Sequence, residues 1–588
     1  MPSRQARDPA NPILNSPYEE PGAHYSTDQG GNLNYDQVRD GRRVFTPDTP
    51  VIPLPQQQIG AFDINDLSSE YKDHLINLVR REVGAWRESR YAGVTSRVTR
   101  DLLDFWFLNP AREDHDKLFF AQREAIESAI WQNEIAERSN AGTHVLDRLL
   151  QAQHTVSNGT SLPRIAFKMA TGAGKTVVMA CLILYHFLNR RQYRNDTRYA
   201  DDFLVMAPGI TIRDRLQVLL VDTSTHNRHD ALDYYRQRAL VPPQYEDEID
   251  SLNARIVITN YHSFEPRVLS GNKRSPFDGK LDVTGKKREA LEDYNLVIRR
   301  VLGKFKSGRR LLVINDEAHH CYLPRAKGRD TEEEAGATEN ERAAVWFSGL
   351  TEVAKRFQVR TVYDLSATPY YLSGSGWPAY SLFPWVVSDF GLIEAIESGL
   401  VKIPFLPVED TSQNLTEPVL RNLYDNCREG LPRKGQEKAR SEARKKGEKI
   451  VEAPPSLPPT LVTAFQMFVS HYQKYEAGMR RAGERKLDLF SEPPVFIVVC
   501  NNTTVSKEVY KYLAGWEVEG ENGEPVAYHG AFDVFSNYDP VTRQRRTKPP
   551  TLLIDSDALE YSGQIDADFK KVFAPEIEQF KRDYCPAG

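Results

Sequence analysis

The stretch that decides the fold runs Ile165-Ala166-Phe167-Lys168-Met169-Ala170-Thr171-Gly172-Ala173-Gly174-Lys175-Thr176-Val177-Val178. An apolar segment of strand length, Ile165–Met169, leads into a glycine-containing turn and then into an apolar run near Val177–Leu188 that suits a buried helix. Gly172 and Gly174 let the backbone curl so that successive N–H groups converge on one point. The start of the following helix adds the positive end of its dipole. Thr171, Gly172, Ala173 and Gly174 then form a cradle for a triphosphate. Lys175 can reach the β- and γ-phosphates, and the Thr176 hydroxyl can ligate Mg²⁺. Met169 stands where the strict GxxxxGK[ST] pattern has its first glycine.

A second apolar strand, Leu311–Ile314, ends in Asn315-Asp316-Glu317-Ala318-His319. Asp316 can hold Mg²⁺ through water, and Glu317 is placed to orient and deprotonate an attacking water. His319, His320 and Cys321 are consecutive and do not easily converge on one zinc ion. A third strand, Thr361–Leu365, runs into Ser366-Ala367-Thr368-Pro369, a turn whose hydroxyls can sense a neighbouring strand end. Phe203–Ala207 and Ile256–Thr259 read as further buried strands. Segments of roughly 40 residues or more separate the strands, which suits helical crossovers and a parallel sheet, hence an α/β fold.

In this order GAGKT, DEAH and SAT resemble motifs I, II and III of a superfamily 2 helicase. Phe119-Phe120-Ala121-Gln122 resembles the segment whose glutamine reads adenine. Ala207–Leu216 is similar to motif Ia, and Ile258–His262 to the next DNA-side motif. The segments Ile13–Pro21 and Leu382–Pro404 resemble the type III restriction enzyme Res-subunit family of DEAD/DEAH-box helicases, and the resemblance spans nearly the whole chain. It implies a RecA-like P-loop NTPase fold, with ATP and Mg²⁺ as cofactors and Lys175, Asp316 and Glu317 as catalytic residues. It also implies that Gln122 contacts adenine and that His319, Ser366 and Thr368 couple the site to movement. Arg213, Arg215, Thr259, Asn260 and Tyr261 would face DNA, mostly its phosphates. The implied activity is ATP hydrolysis coupled to movement on, or remodelling of, double-stranded DNA in a restriction-modification system, with a methyltransferase/specificity subunit as partner.

The C-terminal part departs from that pattern. Pro494–Cys500 and Thr551–Asp555 read as strands, with a helix from Ser506, which suggests an incomplete second RecA-like lobe. No QxxGRxxR segment follows; Arg543–Arg546 reads as surface. No PD…(D/E)xK carboxylate set is visible. The expectation is an N-terminal portion of a longer protein, or a subunit whose motor a second polypeptide completes. The alternative function is an ATP/DNA-binding module without autonomous motor or nuclease activity.

The chain has 588 residues, more than one hydrophobic core accommodates. The expected division is an extended, proline-punctuated N-terminal arm (1–60), a helical N-terminal subdomain (61–115), a RecA-like ATP-binding domain (116–400), a crossover and charged linker (401–460) and the incomplete second RecA-like domain (461–588). With 40% hydrophobic and 27% charged residues, the composition excludes a collagen, a disulfide scaffold and a fully disordered chain. The net charge of -5 argues neither for nor against nucleic acid, so any basic surface must be local. Five scattered cysteines without a CxxC suggest reduced thiols and a cytoplasmic location. No apolar run approaches the roughly 20 residues a bilayer span needs, and Met1–Asn15 lacks the apolar centre of a signal peptide.

Overall fold

A computed structural model describes residues 12–27, 33–46, 71–156, 162–225, 227–267, 291–324, 334–372, 375–378, 380–402, 422–432, 454–484, 495–519, 525–547 and 549–554. The chain divides into two compact units, Met1–Ile403 and Pro404–Gly588.

The first unit is built on a six-stranded parallel sheet. Its strands are β3 (Arg164–Met169), β4 (Asp202–Ala207), β5 (Ile256–Asn260), β6 (Arg310–Asp316), β7 (Gln358–Ser366) and β8 (Val386–Phe390), in the order β5-β4-β6-β7-β3-β8. This is the α/β, RecA-like arrangement expected from the apolar runs. Because side chains alternate across a strand, each strand feeds two cores. Leu312 and Ile314 of β6 join Phe167, Phe203, Val205 and Tyr363 in one cluster. Leu311 and Val313 join Leu204, Met206 and Val362 in the other, with Trp346, Phe347 and Leu350 over them. Both faces are covered, so the strands read as continuous apolar runs.

The helices of this unit used below are α1 (Leu75–Glu88), α2 (Arg97–Leu103), α3 (Phe120–Glu134), α4 (Asn140–Val156), α5 (Lys175–Gln192), α6 (Ile210–Arg215), α7 (Glu334–Arg356) and α8 (Leu392–Glu397); two shorter ones span Tyr234–Gln237 and Tyr294–Leu302. Every residue of α5 from Val177 to Asn189 is buried, which is why its sequence is apolar all round. In α1, Leu75, Ile76, Leu78, Val79, Val83 and Trp86 form the buried stripe.

The N-terminal segment is more ordered than its prolines suggest. Ala23–Thr27 (β1) and Leu33–Asp40 (β2) pair as an antiparallel hairpin. Arg42 lies between Glu124 of α3 and Glu394 of α8, and Arg43 Nη2 is 2.9 Å from Glu397 Oε1. Burial alone would raise the Glu124 carboxyl, but Arg42 and Arg80 hold it below the usual carboxylate range. The arm is thus fastened by charge, which a hydrophobic pattern does not reveal.

Beneath the C-terminal ends of β6 and β7 lies a buried polar cluster. Arg164 Nε donates to Asp364 Oδ2 at 2.7 Å, Trp385 Nε1 to the same oxygen at 2.8 Å, and Asn315 Nδ2 to Asp364 Oδ1 at 2.7 Å. Trp346 Nε1 closes the cluster on Asn315 Oδ1 at 3.2 Å. Asp364 therefore joins the three strands β3, β6 and β7 and the residue that precedes β8.

In the second unit, helices α9 (Pro459–Glu484) and α10 (Thr503–Ala514) pack with Phe535 around Leu461, Phe465, Val505 and Val509. An unexpected antiparallel hairpin, β9 (Gly515–Glu519) with β10 (Pro525–His529), follows α10. The strands expected at Pro494–Cys500 and Thr551–Asp555 do not form among the described residues. Val495–Cys500 and Thr551–Ile554 have no ladder partner, and Val495 and Val499 are 83% and 91% exposed. Apolar β-branched sequence alone does not make a strand; a paired neighbour is required. Pro494, Asp555 and most of the charged linker lie outside the described residues. Among the described residues no helix is long and apolar enough to cross a membrane.

Candidate active site

The phosphate-loop sequence sits at the C-terminal end of β3. Ala173 N donates to Ala170 O at 3.1 Å and Val177 N to Gly174 O at 3.0 Å, which closes the turn onto α5. Gly172 and Gly174 adopt φ values of 86° and 83°, a region that side chains disfavour. A Cβ on Gly174 would stand 2.1 Å from Gln122 Nε2. Gly174→Ala is therefore expected to distort the loop twice over, by strain and by collision. Nucleotide affinity should fall at least about tenfold, given roughly 1–3 kcal/mol for a strained backbone position; a titration with a fluorescent ATP analogue reads this.

Gln122 is buried against this loop. Its Oε1 accepts from Phe119 N at 3.0 Å and its Nε2 donates to Ala173 O at 3.2 Å. The amide expected to meet adenine ties the start of α3 to the loop.

The acidic pair ends β6, two strands from β3. Lys175 Nζ lies 2.7 Å from Glu317 Oε1, so the lysine of the loop and the second carboxylate meet directly. Glu317 has φ 50°, left-handed for a non-glycine residue, which swings its side chain out of the strand direction toward Lys175. The next residue inward, Asp316, is buried, and its Oδ1 accepts from Glu317 N at 3.1 Å. Burial, then the neighbouring Glu317 charge, pushes the Asp316 carboxyl up to about 6, while Lys175 and Arg215 pull the other way. A buried carboxylate within the electrostatic reach of the loop lysine, together with the hydroxyl of Thr176 beside that lysine in the chain, offers hard oxygen donors of the kind Mg²⁺ takes.

That shift has a sign that can be tested. The folded-state value lies above the unfolded one near 4, so protonated Asp316 favours the folded state. The cost of ionising it appears as pH rises from about 4 through 6. Without nucleotide or metal, Asp316→Asn should be more stable than the wild type at pH 8, on the order of 2–3 kcal/mol. The gap should close toward pH 4 in thermal melts; a gap independent of pH would contradict the assignment.

His319 Nδ1 lies 2.9 Å from Ser366 Oγ and 3.5 Å from Glu317 Oε2. Burial and the adjacent His320 push its imidazole down to about 4, so it is neutral at pH 7. Ser366 Oγ in turn accepts from the exposed Thr368 N at 3.0 Å. The DEAH end and the SAT turn are thereby joined through one side-chain contact.

The residues expected to face DNA divide into two groups. Arg213 and Arg215 lie on α6; Arg215 is exposed, and Arg213 is paired with Asp214 at 2.6 Å. Thr259, Asn260 and Tyr261 are buried, with 7%, 5% and 4% exposure. Tyr261 stacks on Trp346 of α7 with ring centroids 5.7 Å apart, and Asn260 Oδ1 accepts from Ser263 Oγ. The helix that covers this face of the sheet takes up the Tyr261 ring.

Sequence reasoning missed β8, together with Lys168 and Asp389, which pair at 2.8 Å beside the loop. Trp385-Val386-Val387, bounded by Pro384 and Gly391, was the available signal. Residues 116–371 match the family model described as "Type III restriction enzyme, res subunit". No curated protein matches the chain. With a phosphate loop and an acidic pair facing one another on a parallel sheet, residues 116–371 form a domain of the type III restriction enzyme res-subunit family, a helicase-like P-loop ATPase.

Proposed function

We propose that the chain hydrolyses ATP and uses it to move on, or remodel, double-stranded DNA in a type III restriction-modification-like system. The observation that carries this reading is the 2.7 Å contact between Lys175 Nζ and Glu317 Oε1, which brings phosphate loop and general-base candidate to one point. The cradle of Thr171–Gly174 binds the phosphates through backbone N–H groups. Lys175 leaves Glu317 for the β- and γ-phosphate oxygens, which frees the Glu317 carboxylate to accept a proton from water. Thr176 and Asp316 would hold Mg²⁺, which supplies neutralisation of the phosphate charge when bound. His319 and Ser366 relay the state of the acidic pair to the turn at Thr368. Gln122 positions the loop and lies beside the nucleotide. Arg213 and Arg215 are the proposed DNA-phosphate contacts.

A methyltransferase/specificity subunit is the proposed partner, as in the type III systems after which the family is named. The finer domain boundaries at 60, 115, 400 and 460 belong to this proposal. A second reading is an ATP/DNA-binding module whose motor a second polypeptide completes. An arginine finger is worth roughly 10³–10⁵ in turnover. The test is steady-state ATPase of the full chain with and without duplex DNA. The motor reading expects duplex stimulation that Lys175→Ala abolishes. ATP binding with no turnover, rescued only by adding the methyltransferase/specificity subunit or another polypeptide, favours the module.

A further inference from the structure

Apart from the nucleotide site, the first unit carries a cleft of about 570 Å³, within the roughly 300–1,000 Å³ typical of ligand sites. No residue of the phosphate loop or the acidic pair lines it. One wall is the end of α2, which continues into a single π-type turn, Asp104–Leu108. The extra residue of such a turn sets side chains out of the α-helical register, a device frequent at functional sites. Phe105 and Leu108 make this wall apolar, and Pro242 adds an apolar surface from a distant part of the chain. The two parts are tied together. Trp106 Nε1 donates to Leu240 O at 2.7 Å and Arg112 Nη2 to Arg238 O at 3.1 Å, so the cleft is preformed.

Its polar groups centre on one oriented carboxylate. The Tyr245 hydroxyl donates to Asp101 Oδ2 at 2.7 Å, and Gln244 Nε2 reaches the same oxygen at 3.5 Å, which leaves Oδ1 open to a donor. Burial, then the bond to Asp101, holds the Tyr245 phenol well above its usual range, so it stays protonated and donates. Arg97 Nε also lies 3.8 Å from Oδ2, but its side chain is 87% exposed; such a pair is worth little and yields to a better-placed cation. Asp104 is exposed and has no hydrogen bond or ion pair from its side chain among the described residues. Arg90, likewise unpaired there, is held at the rim by strain: it and Tyr91 have φ values of 53° and 61°. Tyr91 fixes that turn, because it is buried with its hydroxyl on Glu127 Oε1 at 2.7 Å. Two carboxylates against one guanidinium leave the lining with a net negative charge.

We propose that this cleft receives an arginine side chain of a second polypeptide. Its guanidinium lies on Asp101 and Asp104, and its methylene stem runs along Phe105, Leu108 and Pro242. A planar, weakly hydrated guanidinium on an apolar stem suits paired carboxylates beside an apolar wall better than a compact ammonium does. The occupant is a peptide because amide groups flank the acidic centre. Asn109 uses its Oδ1 on Ala111 N at 3.0 Å, which leaves its Nδ2, and the Oε1 of Gln244, for backbone groups on either side of the arginine. The cleft and the phosphate loop share no residue, so failure at one leaves the other standing.

Fluorescence polarisation of a labelled acetyl-Leu-Arg-Leu amide peptide with the full chain tests this. The peptide should bind the wild type. Its citrulline counterpart, of the same shape without the charge, should bind at least about tenfold more weakly. Asp101→Asn should weaken the arginine peptide about tenfold. Asp104→Asn should weaken it about threefold, and this change falls on an exposed side chain that the fold does not use. Melting temperatures of both variants should match the wild type. No binding of the arginine peptide up to about 5 mM overturns the proposal, since nothing weaker would hold a partner. Equal binding of the citrulline peptide, or unchanged affinity in both variants, overturns it as well. Agmatine bound as tightly as the peptide also overturns it, because the occupant would then be a small cation.

Discussion

Replacing Glu317 by Gln should lower ATP turnover by about 10²–10⁴-fold while ATP binding survives, since that is the usual contribution of a positioned general base. Glutamine keeps the shape of the side chain and cannot accept the proton of the attacking water. The same change removes the ion pair between Lys175 and Glu317, whose side chains are only 13% and 25% exposed. The lysine is then free for phosphate without first giving up a partner, so ATP affinity should hold or rise. Lys175→Ala should instead lose binding and turnover together. Paired measurements of ATPase rate and nucleotide affinity separate the two roles. Turnover within about threefold of wild type in Glu317→Gln would remove Glu317 from the chemistry.

The second large effect concerns stability. Arg164→Met should lower the stability of the first unit by about 3–5 kcal/mol, because it leaves Asp364 buried without its cation. Asp364 accepts from Arg164, Trp385 and Asn315 in the dry layer beneath the site, and only the first of these carries charge. A drop in melting temperature of about 5 °C is expected from that loss in a unit of this size. The double variant Arg164→Met/Asp364→Asn should recover much of it, since no unpaired buried charge remains. A double variant as unstable as the single one would mean that packing of the Arg164 guanidinium on the Trp385 ring, 4.4 Å from its centroid, matters more than charge.

The parts of the molecule that were legible in sequence are those set by local pattern. The strands β3 to β7 announce themselves because both faces of the sheet are covered and each strand is a short apolar run. The loop and the acidic pair are legible because glycine and carboxylate chemistry tolerates few substitutes. Non-local partners account for the rest. In β8, Ser388 and Asp389 break the apolar run, and Asp389 is paired with Lys168 and Arg80, far away in sequence. The hairpin of β1 and β2 is held to α8 by Arg43 and Glu397, a pairing across more than 350 residues. Thr259–Tyr261 read as a DNA-facing motif by order alone, yet the stacking of Trp346 on Tyr261 buries that end of β5. Conversely, Val495–Cys500 has the sequence of a strand and no neighbour to pair with. Gln122 was expected from the resemblance to read adenine; its hydrogen bonds to Phe119 and Ala173 could not be read from spacing.

The most direct measurement is the structure of the full chain with a non-hydrolysable ATP analogue and Mg²⁺. The account predicts the β- and γ-phosphates against the backbone N–H groups of Gly172–Thr176, Lys175 Nζ moved from Glu317 to phosphate oxygen, and the metal between Thr176 and Asp316. An analogue bound elsewhere, or bound at the loop with its metal remote from Asp316 and Glu317, would contradict it.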